Sequence, residues 1–300
     1  MKVLLTGATG TIGSAVARVL VDAGHAVTAL VRDPAQATAL ERAGLAVVHG
    51  DLARPGSYRA AATEHEVLVH AAMDYGGDTV GVDRIAIDTL LGALGRGRAR
   101  RFVYTSGCWV LGDTGGEDAA EGASTALPAE LVRWRVNHER TVLEANAAGA
   151  STVVVRPGIV YGGPGSLTSA WYRRAVSKGA APVIGDGENH WSFVDREDLA
   201  RLYLALVDSA AVGVFHGVDN HPVRAREATA AASRAAGAGG RVERLELEEA
   251  RASLGLVADA LVLDQRLVTR RAAEVGWAPR CASYLDCVDR AVVEWRASQA

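Results

Sequence analysis

Near its start the chain reads Thr6-Gly7-Ala8-Thr9-Gly10-Thr11-Ile12-Gly13, directly after the apolar run Val3–Leu5 and directly before a stretch with helical spacing at Ala15, Val16, Val19 and Leu20. A glycine-rich turn between a strand and a helix has a specific chemical use. Its glycines permit a tight turn, close approach of backbone to a pyrophosphate and close helix–strand packing. The helix start then offers free N–H groups and a positive dipole end to phosphate oxygens. Gly7, Gly10 and Gly13, with Thr9, Thr11 and Ile12 between them, are therefore the expected pyrophosphate site. The spacing is Gly-x-x-Gly-x-x-Gly, which departs from the commoner Gly-x-Gly-x-x-Gly fingerprint.

About twenty residues beyond such a turn, the end of the second strand selects the cofactor. An acid there holds the ribose hydroxyl pair of NAD, and an arginine accommodates the phosphate of NADP. This chain reads Leu30-Val31-Arg32-Asp33-Pro34. The guanidinium fork of Arg32 suits a phosphate. Asp33 is the rival, although it can instead cap the next helix with Pro34 in its first turn. The expected cofactor is NADPH or NADP, with NAD as the alternative.

These residues need a frame to position them. Val3–Leu5, Ala26–Val31, Ala46–His49, Val67–Ala71, Phe102–Thr105 and Thr152–Val155 are apolar runs of buried-strand length, separated by stretches of helical pattern. Gly24 and Gly44 stand where helices should stop. Repeated strand–helix–strand units predict an α/β, doubly wound Rossmann sheet with parallel strands and helices on both faces. After Gly162 the elements become shorter and more irregular. The division expected is an NADP-binding Rossmann domain over 1–165 and a smaller C-terminal substrate-binding region over 166–300. Some elements of the second part should return to the first, including a helix near Glu197–Asp208. The Ala225–Gly240 segment reads as a helix ending in a loop.

Three hundred residues with 32 basic and 35 acidic side chains carry a formal charge of −3 and no basic stripe for nucleic acid or membrane. The first apolar run is too short for a signal peptide, and no stretch approaches membrane-spanning length. Cys108, Cys281 and Cys287 lack metal-ligand spacing, so three reduced thiols and no metal are expected. The expectation is a cytoplasmic monomer or homodimer whose partner is a small-molecule substrate.

With these motifs in order along nearly the whole length, the chain resembles the extended and atypical short-chain dehydrogenase/reductases, the NAD-dependent epimerase/dehydratase type. Gly50-Asp51-Leu52 matches the segment after strand three that faces the adenine, and His70-Ala71-Ala72 the loop beneath the cofactor. Arg156-Pro157-Gly158-Ile159-Val160-Tyr161-Gly162 resembles the strand-six motif beside the nicotinamide. Phe193–Ala200 looks like the segment closing the substrate cleft, and Gly276-Trp277-Ala278-Pro279 like a C-terminal signature. The resemblance implies cofactor contacts from Asp51, Leu52, Ala71, Ala72, Thr105, Pro157, Gly158 and Val160.

The resemblance breaks at the catalytic residues. In the family a Ser or Thr follows strand five, and a Tyr-x-x-x-Lys pair on a later helix moves the proton and holds the ribose. Aligned on Gly112, the hydroxyl position here falls on Gly107; aligned on the strand end, Ser106 could serve. Trp134 takes the tyrosine position and His138 the lysine position, and no other Tyr-x-x-x-Lys occurs. His138 is then expected to hold the ribose or to act as the acid, against the plain alternative of a packing histidine. Ser106, His138 and Tyr161 are the catalytic candidates. Tyr75, Cys108, Trp109, Trp134, Trp191 and Ser192 are the substrate-binding candidates, their tryptophans suiting a flat apolar molecule. The function expected is an NADPH-dependent ketoreductase for a hydrophobic ketone, an aromatic polyketide among the candidates. The alternatives are a non-catalytic NADP(H) sensor and a nucleotide-sugar epimerase or dehydratase.

Overall fold

The computed structural model describes residues 1–73 and 77–299. Seven strands form one parallel sheet: β1 (Lys2–Thr6), β2 (Ala26–Val31), β3 (Ala46–His49), β4 (Val67–His70), β5 (Arg101–Thr105), β6 (Ser151–Pro157) and β7 (Gly213–Gly217). Their order is β7-β6-β5-β4-β1-β2-β3. The inner strands are buried almost end to end, as a sheet covered on both faces requires. Six of these strands lie where the apolar runs predicted them, with β4 ending at His70 instead of Ala71. β7 is a return strand from the later part of the chain, paired with β6 at the sheet edge.

The long helices are α1 (Thr11–Asp22), α2 (Thr79–Leu91), α3 (Arg133–Ala147), α4 (Leu167–Lys178), α5 (Arg196–Asp208), α6 (Ala225–Ala235) and α7 (Tyr284–Ala297). Alternation along the strands sends Val3 and Leu5 to a core with Val16, Leu20, Leu199 and Leu206 from α1 and α5. Leu4, Leu68 and Phe102 point the other way, to Ile87 of α2 and Val142 of α3. Helix α5 starts at an Asp195 cap, whose Oδ1 accepts the N–H groups of Glu197 and Asp198 at 3.0 and 3.2 Å. It packs on α1 as expected, with Arg18 paired to Glu197. A second apolar cluster, built on Trp171, Trp191, Phe193, Tyr284 and Trp295, joins α4, α6 and α7.

Because β1 lies between β4 and β2, successive connections diverge at its C-terminal end. In open parallel sheets that divergence opens the ligand crevice. Gly7 stands at the end of β1 and Ala71 at the end of β4.

One expectation is corrected. Cys281 and Cys287 are joined in a disulfide, and Cys108 is a buried free thiol. Cys287 lies in the first turn of α7 and Cys281 just ahead of its Ser283 cap, so the cap turn folds one sulfur back onto the other. Such bonds are rare where cellular thiols keep cysteines reduced, so the bond and a cytoplasmic location pull in opposite directions. Among the described residues no helix is long and apolar enough to cross a membrane. Alkylation in denaturant without reductant should modify one cysteine, and all three after reduction; three modified before reduction would contradict the bond.

Candidate active site

The crevice encloses about 290 Å³ and is lined by Thr6, Gly7, Thr9 and Gly10, by Arg32 and Asp33, by Gly50, Asp51 and Leu52, and by Ala71, Ala72 and Met73. Gly7 has φ +78°, and a Cβ on it would lie 2.6 Å from the Ala71 backbone. A Cβ on Gly13 would lie 2.0 Å from the Gly7 carbonyl oxygen. Packing therefore demands glycine at both positions, while Gly10 has only an ordinary contact at 3.4 Å and borders open crevice. Gly10 starts α1, which carries no side-chain cap and no acid in its first turn. The positive end of α1, with the N–H groups of its first turn, is left for an anion. Half-buried Thr11 and Ile12 lie in that turn. This cradle fits the pyrophosphate of a dinucleotide.

The adenosine side is equally defined. Asp33 Oδ1 accepts the Ala35 N–H at 2.9 Å and caps the turn Pro34–Gln36, leaving exposed Arg32 to line the crevice mouth. The loop after β3 is braced by Tyr58, whose hydroxyl donates to the Leu52 carbonyl at 3.2 Å, and by Asp51 Oδ1, which accepts from Ala53 N–H at 3.0 Å. On the other side, Pro157 ends β6, and Gly158 follows so close to the Ser192 carbonyl that a Cβ would approach it to 2.5 Å. Val160 is half-buried against the α1 and α5 core.

At the inner end of the crevice the apolar strands finish in a polar row. Thr6, His70 and Tyr104 are register partners across β1, β4 and β5, on the face that otherwise carries Leu4, Leu68 and Phe102. All three are buried, and they converge on Asp83 of α2. The Thr6 hydroxyl lies 2.6 Å from His70 Nδ1, and His70 Nε2 lies 3.2 Å from Asp83 Oδ1. Asp83 Oδ2 accepts the Tyr104 hydroxyl at 2.9 Å and lies 2.6 Å from His138 Nδ1 of α3. Burial alone would raise the Asp83 carboxyl, but the bonds from His138 and His70 and the nearby Arg135 charge outweigh it and hold it well below the usual carboxylate range. Arg135 donates to the Thr105 carbonyl at 2.8 Å and reaches the Met73 sulfur at 3.0 Å, tying α3 to the crevice wall. One turn on, Glu139 binds Arg156 of β6 through both oxygens, with both side chains buried.

The sequence candidates fare differently. Thr105 Oγ1 bonds the Tyr203 hydroxyl at 2.6 Å. Ser106 is buried with a hydroxyl that finds no partner among the described residues, and a Cβ on the neighbouring Gly107 would meet nothing within 4 Å. His138 sits edge-on to Trp134, ring centroids 4.9 Å apart, with the Arg135 guanidinium over the indole at 4.6 Å. Half-buried Trp109 and Trp134 remain available as walls. Trp191 instead stacks on Trp171 at 4.9 Å and spends its N–H on the Leu261 carbonyl, because the second cluster needs its area. Ser192 is consumed between Gln265 O and Leu267 N, at 3.1 and 2.7 Å. Cys108 packs with Val110 and Leu267, and burial pushes its thiol up to about 12. Tyr161 has no exposed surface, its ring lies against Phe193 and Tyr284, and burial raises its hydroxyl far above the ordinary tyrosine value. These four side chains sit in the core, against the expectation that they face a ligand. Tyr75 lies outside the described residues. Asp83, Tyr104 and Arg135 went unrecognised in the sequence, and Thr6 and His70 were read only within the phosphate turn and the loop beneath the cofactor; a polar residue near the end of each apolar strand was the available signal for Thr6, His70 and Tyr104.

The model of the NAD dependent epimerase/dehydratase family matches residues 3–216. The chain belongs to that family. A 3-diazoavenalumate denitrifying reductase from a Streptomyces species is 30% identical over 245 residues, 76% of this chain and 79% of that one. A 2-alkyl-3-oxoalkanoate reductase from Stenotrophomonas maltophilia is 28% identical over 251 residues, 76% and 73% of the two chains. Among solved structures, a human epimerase family protein with NADPH superposes with a TM-score of 0.79 at 19% identity, covering 98% of this chain and 99% of that one. This family member is an oxidoreductase with an NAD(P)-binding fold. Its Gly7→Ala variant should bind NADPH roughly tenfold or more weakly in a fluorescence titration; unchanged binding would show that the loop does not need its contact with Ala71.

Proposed function

We propose that this family member is an NADPH-dependent ketoreductase acting on a hydrophobic ketone, an aromatic polyketide-like molecule among the candidates. The observation that carries the reading is the buried Asp83 network, which holds His138 beside an indole and reaches the crevice wall through His70 and Thr6. When bound, the nicotinamide supplies the hydride. The chain's own residues bind, orient and protonate. The α1 start and the Gly7–Gly13 turn hold the pyrophosphate, and Arg32 takes the adenosine phosphate while Asp33 is occupied by its capping bond. The unpartnered Ser106 hydroxyl donates to the substrate carbonyl oxygen, and His138 delivers the proton that oxygen needs.

Trp109 and Trp134 supply apolar walls, and Leu127, 84% exposed beside Gly112, extends that surface outward. A flat or alkylated ketone suits such walls better than a sugar nucleotide. Arg174 on α4 is paired with Glu243 at 2.8 Å and so is not held ready for a diphosphate. The relative named as a 2-alkyl-3-oxoalkanoate reductase is consistent with a carbonyl beside an apolar chain.

The test is NADPH oxidation across a panel of aromatic and alkyl ketones. Turnover is expected with an apolar member, and tight NADPH binding without turnover anywhere in the panel would favour an NADP(H) sensor. In the same assay Arg32→Ala should weaken NADPH by roughly tenfold or more while NADH changes little. Equal loss for both would remove Arg32 from the phosphate site.

A further inference from the structure

We infer that Asp83 is the positioning residue of this site: by accepting from His138 Nδ1 it fixes the imidazole tautomer and turns Nε2 into the atom that gives up the proton. The inference deepens the reductase reading and rests on it for its chemistry. Its geometric part stands separately.

The proton positions follow from donor and acceptor capacity. An ionised carboxylate only accepts, so each of its three partners must donate. Tyr104 donates its hydroxyl hydrogen, and His138 therefore carries a hydrogen on Nδ1. His70 likewise carries one on Nε2, which leaves its Nδ1 to accept from the Thr6 hydroxyl. The Thr6 oxygen in turn takes the Ala72 N–H at 3.4 Å. One assignment satisfies every member from the crevice wall, where Thr6 and Ala72 lie, to α3. The opposite edge of the His138 ring, Nε2, makes no hydrogen bond among the described residues. The network closes at Thr6 and Ala72 and ends open at Nε2.

The other members cannot replace His138 as donor. Tyr104 is fully buried, donates to Asp83 and has its hydroxyl raised well above the ordinary tyrosine value by burial. His70 is 1% exposed and bonded through both nitrogens. In the step itself the carbonyl carbon gains the hydride given up by NADPH, and the carbon–oxygen π pair moves onto oxygen. That oxygen forms a bond to the hydrogen of His138 Nε2–H, and the imidazolium is left as the neutral Nδ1–H form, still bonded to Asp83. Water restores the Nε2 proton, and Asp83 stays ionised throughout. Fixing an imidazole by a buried carboxylate is a strong catalytic lever, because it holds the ring in place and stabilises the imidazolium, the only form of an Nδ1-bonded ring that carries a proton on Nε2.

The experiment uses the full chain labelled with ¹⁵N-histidine, first without cofactor, in mildly alkaline buffer. Long-range proton–nitrogen spectra report which nitrogen of each ring carries hydrogen, and His138→Gln assigns the resonance. Neutral His138 is expected as the Nδ1–H tautomer, and Asp83→Asn should let the Nε2–H form appear. In steady state with NADPH and a reduced ketone, Asp83→Asn should lower kcat by about tenfold or more with KM for NADPH little changed. An Nε2–H tautomer in the unmodified protein would overturn the inference whatever the protein reduces, and needs no variant to fold. Unchanged kcat in Asp83→Asn would overturn it while leaving the reductase reading intact.

Discussion

A single carboxylate, 5% exposed, sits between α2 and the sheet, and much of the molecule is arranged to make that tolerable. Moving an ionised carboxylate out of water costs several kcal/mol, and the cost is offset only by well-placed donors. Asp83 collects three, from β4, β5 and α3. Their geometry constrains the register of two neighbouring strands and the rotation of a helix at the same time. A slip of one residue in β4 or β5 would turn His70 or Tyr104 to the opposite face and strand the charge. Rotating α3 would remove His138 and also break the adjacent Glu139 from Arg156.

The same constraint joins two parts of the site that could have been independent. Thr6 is both the last residue of β1, ahead of the phosphate turn, and the first member of the polar row. Arg135 reaches the Thr105 carbonyl and Met73, which lines the crevice. The glycine turn therefore meets the Asp83 network through short, buried contacts. The Gly7 contact with Ala71 closes the arrangement on the cofactor side. The end of the glycine turn's strand and the partners of Asp83 are set by one register.

Local features of the sequence disclosed the frame and the glycine turn that ends its first strand. Strands buried on both faces must be apolar runs, and a phosphate turn must spend glycines where backbone meets backbone, so both left marks readable without neighbours. Asp33 as a cap and Arg32 beyond it followed from the same local chemistry. Of the Asp83 network, His138 was the member singled out in the sequence as a candidate for chemistry. Asp83 meets its partners across 13, 21 and 55 positions, and nothing within the Thr79–Leu91 helix marks it as buried. Tryptophan posed the opposite difficulty: bulk and flatness suit a pocket wall and a core equally. Trp171 and Trp191 chose the core by stacking on each other, whereas Trp134 stayed beside His138. The Cys281–Cys287 bond depends on a cap turn that spacing alone does not fix.

The most direct test of this account separates cofactor holding from proton delivery at His138. The His138→Gln variant keeps a side chain of similar reach that can hydrogen-bond Asp83 but cannot serve as an acid. Its kcat for a reduced ketone should fall by about 100-fold or more, while NADPH dissociation measured by fluorescence stays within about twofold. A variant that loses NADPH binding as much as turnover, or one that keeps its kcat, would contradict the assignment of His138 as the proton donor.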